Sequence, residues 1–203
     1  MSRLIICAVT LTLFLSVVAG AQKSIATDII LRVYNTADIS ARDLDVARRV
    51  LSDIFLRAEG IGMTWLECGT ADASALQCRQ VLAPAELVIR VVGGPIVAPG
   101  PSIVLGYSYV DTTTRSGTLA TVLGDQVQDA ATRTHTDVGI LLARVIAHEV
   151  GHLLLGSVEH ADQGVMRTRW SDAVRRRLTG STEWSFSHEE AIALRRGLLA
   201  RVP

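Results

Sequence analysis

His148, Glu149 and His152 open the stretch HEVGHLLLGSVEH, which ends on His160 and holds three of the chain's five histidines. Residues four apart on a helix leave the same face about one turn apart. His148 and His152 at that spacing can present two ring nitrogens to one Zn²⁺. Glu149, one position on, points beside such an ion rather than at it, where a carboxylate can hold a reacting water. Two unpaired imidazoles on so apolar a helix would be costly to bury, which favours metal binding over an accidental surface pair. Gly151 adds an indirect signal. Glycine inside a helix costs about 1 kcal/mol relative to alanine, so something needs the space beside it.

A zinc ion open for catalysis takes three protein ligands and leaves the fourth position to water. Gly156 can end the helix in a left-handed conformation and turn the chain back, bringing His160 towards the metal. Asp162 is a rival third ligand, as is a downstream helical carboxylate, Glu183, Glu189 or Glu190. Glu189 and Glu190 sit in a capping-box pattern, Ser187-His188-Glu189-Glu190, which already gives them a structural task.

The elements that must position these residues are readable from periodicity. DIILRVY (28–34) alternates as a strand, and Ser40-Ala41-Arg42-Asp43 caps a helix with Leu44, Ala47, Leu51, Ile54 and Ala58 on one stripe. Strands are expected at 62–68, 86–94, 103–111 and 117–123, with a Pro/Gly loop at 93–102. Thr134-His135-Thr136-Asp137 reads as a second capping box. It opens the longest helical pattern, which carries Val138, Leu141, Leu142, Val145 and Leu153 and runs to Gly156. Residues 157–186 read as irregular, and a last helix follows from Ser187.

The N-terminus reads as an export signal. Met1-Ser2-Arg3 is a short positive region, residues 4–18 are an apolar run, and Ala19-Gly20-Ala21 is a cleavage pattern. Residues 1–21 are therefore expected to be removed, leaving 22–203 as one domain, secreted or periplasmic, monomeric and with no membrane anchor. The charge balance is even, with 20 basic and 20 acidic residues, so nothing points to nucleic acid as a partner. Cys68 and Cys78, an even and closely spaced pair in an exported chain, are expected to form a disulfide.

HExxH, a helix-ending glycine, a third histidine and a following methionine resemble the metzincin zinc metallopeptidases. Met166 would occupy the Met-turn beneath the metal. The element order resembles the matrixin-like branch. That resemblance implies an α+β fold: a twisted mixed sheet of about five strands, a first helix, a long active-site helix, then an irregular lower part with Met-turn and C-terminal helix. It implies zinc held by His148, His152 and His160, with Glu149 as general base and acid in hydrolysis of an internal peptide bond. A protein or peptide substrate would lie along an edge strand, LGYSYV (105–110), and Trp170 in RTRWSD would either wall a specificity pocket or pack in the core. Glycine falls four residues after His152 where the family has three, and His160 comes four after Gly156, so the turn is two residues longer. Two other readings remain: an exported zinc-binding protein without hydrolytic activity, and a non-peptidase zinc hydrolase acting on cell-wall material.

Overall fold

The computed structural model describes residues 28–69, 74–94, 104–170 and 184–201. The N-terminal signal, residues 95–103 of the Pro/Gly loop, and Glu183 lie outside the described residues. Five strands form one sheet in the order β2-β1-β3-β5-β4. They are β1 (Asp28–Thr36), β2 (Gly62–Cys68), β3 (Glu86–Val92), β4 (Gly106–Asp111) and β5 (Ser116–Leu123). The first four in that spatial order run parallel, and β4 pairs antiparallel with β5 at the edge. The helices are α1 (Ala41–Arg57), α2 (Ser74–Cys78), α3 (Gly124–Thr134), α4 (Val138–Leu155) and α5 (His188–Leu199). This is the α+β mixed sheet that the sequence implies.

Alternation sets the sheet's faces. Ile29, Leu31 and Val33 of β1 and Leu87, Ile89 and Val91 of β3 are buried in one core with Leu44, Ala47, Leu51, Ile54 and Phe55 of α1. Ser40 caps α1 by accepting from the Asp43 amide. Helix α4 is packed on nearly every side, since 14 of its 18 residues are buried. It is long and apolar enough to cross a membrane, yet 78% of it lies inside the fold, as expected of a core helix. One side of α4 meets α1, β4 and β5, and α5 crosses it so closely that Gly197 rests against the Leu154 carbonyl.

The structure departs from the sequence expectations at several places. Helices α2 and α3 were not expected, and α4 is capped by Asp137 rather than by Thr134. The Asp137 carboxylate accepts from the Ile140 amide, while the Thr134 hydroxyl turns back to the Ala130 carbonyl at 2.8 Å and serves the end of α3. Two residues with cap chemistry stand three apart there, and the presence of α3 decides which of them caps α4. Strand β4 also starts later than expected, at Gly106. In the terminal helix the box is complete, with the Ser187 hydroxyl accepting from the Glu190 amide and the Glu190 carboxylate accepting from the Ser187 amide.

Cys68 at the end of β2 is bonded to Cys78 at the end of α2, with Cα atoms 5.8 Å apart. The segment from Cys78 onward is anchored to the sheet by Arg32. Its guanidinium is buried, pairs with Glu86, and donates to the carbonyls of Cys78, Gln80 and Val81. Alkylation of native protein should leave both cysteines unmodified, and reduction should add two alkyl groups by intact mass. Reduction should lower stability by about 2–3 kcal/mol, the scale for so short a loop.

Candidate metal and active site

Helix α4 supplies the first two donors. His148 and His152 face one another with their Nε2 atoms 3.1 Å apart. Each Nδ1 lies 2.8 Å from a main-chain carbonyl, Val165 for His148 and Ser157 for His152. A carbonyl can only accept, so Nδ1 carries the proton and the Nε2 lone pair is left for a metal. Two Nε2 lone pairs at that separation repel unless a cation lies between them. Two imidazoles on a tetrahedral zinc stand about 3.3 Å apart, which the pair nearly matches.

Burial also keeps these rings neutral. It pulls the His148 pKa down to about 4, with the neighbouring His152 and His160 acting the same way and the Val165 bond opposing. His152 is lowered too, chiefly by burial. Neutral imidazole is the form that binds metal.

The chain after α4 brings in the third donor. Gly156 has φ 60° and ψ 36°, and a side chain on it would overlap the Arg115 carbonyl, so conformation and close approach both require glycine. Beyond it the Glu159 amide donates to the Ser157 hydroxyl at 3.0 Å, folding the longer turn back. His160 then stands beside both helical histidines, with ring centroids 5.2 Å from His148 and 4.8 Å from His152. The ligand atoms of His148, His152 and His160 all lie within 4.8 Å of one another, and among the described residues these three form the cluster. Asp162, Glu189 and Glu190 are not in it.

Met166 is almost wholly buried and packs against Gly151 of α4. Gly164, at φ 73°, turns the chain, and the Val165 amide donates to Ser185 while the Val165 carbonyl accepts from His148. The space beside Gly151 is filled by the Met166 sulphur, and a methyl added there would overlap it and stand 3.1 Å from Phe186. Gly151→Ala should therefore lower stability by about 1–3 kcal/mol, the usual cost of overpacking, although alanine is the better helix former. A thermal melt of the metal-free protein checks this, and an unchanged or higher midpoint would refute it.

Trp170 takes the packing role, partly buried against the core. It meets His148 edge-on at 5.6 Å and packs on the buried Trp184 at 5.0 Å. Arg144, one turn before His148, lies over the Trp184 ring at 3.8 Å.

Glu149 is 5% exposed, and burial pushes its carboxyl up to about 7 while a hydrogen bond from Ser108 holds it down. A carboxyl poised near neutrality suits both accepting and returning a proton. Its surroundings come from β4, which the sequence presents only as a rail for substrate. Ser108 and Gly106 both touch it, and the one signal for them was their shared position on the inward face of GYSYVD.

No protein-family model and no curated protein matches the chain. Solved structures do. Archaemetzincin from Methanopyrus kandleri superimposes with a TM-score of 0.51, covering 85% of this chain and 97% of that one, at 19% identity. The likeness is one of fold, and the chain has a metzincin-like α+β fold that carries a three-histidine cluster.

Proposed function

We propose that this protein is a zinc-dependent peptidase, and more narrowly an exported endopeptidase. The observation that carries the reading is the convergence of His148, His152 and His160 beside a buried glutamate that belongs to none of their hydrogen bonds. A purely structural zinc needs no such carboxylate, which weighs against a binding protein. The metzincin-like fold supports the same reading, and the resemblance of the sequence to the matrixin-like branch is the basis for preferring cleavage within a chain.

Three neutral imidazoles fit zinc, which when bound would supply an acidified water and polarise the substrate carbonyl. The chain's own residues do the rest. Glu149 takes the proton from the attacking water and passes it to the departing amine. Val165 and Ser157 hold the first two imidazoles in the donor tautomer. Strand β4 is the edge strand among the described residues, so an extended peptide could add to the sheet there through main-chain hydrogen bonds. The mature unit would be residues 22–203, acting as a monomer outside the cytoplasm.

Purified mature protein should carry one zinc per chain and cleave an unfolded protein at internal bonds, with both properties lost to a chelator and restored by zinc. One zinc with no cleavage across a broad peptide library would instead favour a binding protein. Cleavage of cell-wall material alone would favour a non-peptidase hydrolase. Release of terminal residues alone would remove the endopeptidase assignment.

A further inference from the structure

Strand β4 has two sides with different duties. Among the described residues no strand pairs with its outer edge, while its inward face lies over α4. On that face stand Gly106, Ser108 and Val110, and the first two make a seat for one carboxylate. The Ser108 hydroxyl lies 2.6 Å from Oε2 of Glu149 and 2.9 Å from its main-chain carbonyl. At Gly106 a Cβ would stand 2.9 Å from Oε1 and 3.1 Å from Cγ of the same side chain, with the Thr121 carbonyl at 3.0 Å. Any larger residue at 106 would push the carboxylate aside. Glu149 is thus held by a donor on one oxygen and by cleared space at the other.

We infer that Ser108 is a positioning residue, holding the Glu149 carboxylate in the orientation from which it works as general base. The inference rests on the peptidase reading above. A glutamate has three side-chain torsions, and a buried one with no donor would settle wherever packing allowed. The Ser108 hydroxyl removes that freedom from the far side, leaving the remaining lone pairs of the carboxylate for the water. Because the donor sits on the strand that would receive the peptide, substrate pairing on the outer edge of β4 also braces the base from behind. Ser108 faces inward and would not touch the peptide, so its effect falls on turnover rather than on binding.

The test compares Ser108→Ala, Ser108→Thr and Ser108→Val in the zinc-loaded enzyme on one peptide substrate. Thr and Val have nearly the same shape and differ by the hydroxyl. Ser108→Ala and Ser108→Val should lower kcat about ten- to a hundredfold, the scale for a misplaced group, with KM within about twofold and zinc content unchanged. Ser108→Thr should recover most of the loss. A second readout uses metal-free protein and needs no activity: a double-mutant cycle on unfolding stability with Ser108→Ala, Glu149→Ala and both together. The two sites should be coupled, with removal of Ser108 costing more stability while the Glu149 carboxylate is present than in Glu149→Ala, where only the bond to the main-chain carbonyl is lost. Parental kcat in Ser108→Ala overturns the inference, as does equal loss in the Thr and Val variants, which would mark a packing role. Absence of coupling in the cycle also overturns it. Parent protein inactive on every peptide would overturn the peptidase reading itself, and the cycle would then report only a structural contact.

Discussion

Glu149→Ala protein should purify with its full zinc and hydrolyse peptides at least about a hundredfold more slowly than the parent, the low end of general-base contributions. The side chain makes no bond to any of the three imidazoles, and the two helical ones are fixed by Val165 and Ser157. Its removal therefore leaves the donor set alone. Stability should hold or rise in the variant, because a buried carboxyl with a pKa raised to about 7 is an unfavourable group to enclose when ionised. Its folded pKa lies above the ordinary value, so its contribution to folding is present at low pH and lost as the pH rises through about 7. The gain from Glu149→Ala should accordingly grow from acid to neutral pH in melts of the metal-free protein. Unchanged turnover would remove Glu149 from the chemistry, and loss of zinc with turnover would make it a ligand.

Glu149 is legible in the sequence because the information is local. His148, Glu149 and His152 lie within one turn and a half of helix, and the helix itself is announced by its apolar run. The same holds for α1, whose stripe and Ser40 cap are both in the sequence, and for the alternating strands that place Ile29, Leu31 and Val33 inward. Helix α3 carries no such announcement. It opens on Gly124 after Leu123, which has no capping side chain, and its buried residues are mostly small: Val127, Ala130 and Ala131 among them. A stripe of that kind holds too little hydrophobicity to stand out, and the helix forms because α4 and the ends of β3 and β5 are there to pack against.

The seat for Glu149 was hidden for a different reason. Ser108 and Glu149 are 41 residues apart and meet only because β4 lies across α4. Alternation could place Gly106 and Ser108 on one face, but not say what that face covers. The carbonyls of Val165 and Ser157 were beyond reach altogether, since a backbone acceptor has no sequence signature. Gly151 is an intermediate case. Its cost to the helix showed that space was needed, and the structure shows the occupant to be the Met166 sulphur.

His160→Ala should lower zinc affinity by more than the roughly 10- to 100-fold that loss of an outer-shell partner costs, because a whole donor goes. His148→Ala and His152→Ala should do the same. Asp162→Ala and Glu189→Ala should stay near the parent, since neither carboxylate belongs to the cluster. The path of the turn explains why His160 still reaches the helical pair despite two extra residues. Gly156 reverses the chain at once, Ser157 spends its carbonyl on His152, and the Ser157 hydroxyl holds the Glu159 amide, so the added residues fold into a tight return. His160 remains the exposed member of the three, whereas His152 is buried and fixed by its carbonyl. Zinc should therefore leave from the His160 side. In competition with a chromophoric chelator, His160→Ala should raise the rate of zinc loss as well as the amount lost, with far-UV circular dichroism unchanged. Retention of parental affinity by His160→Ala, together with loss in Asp162→Ala or Glu189→Ala, would give the third position to a carboxylate and leave the helical pair and Glu149 in place.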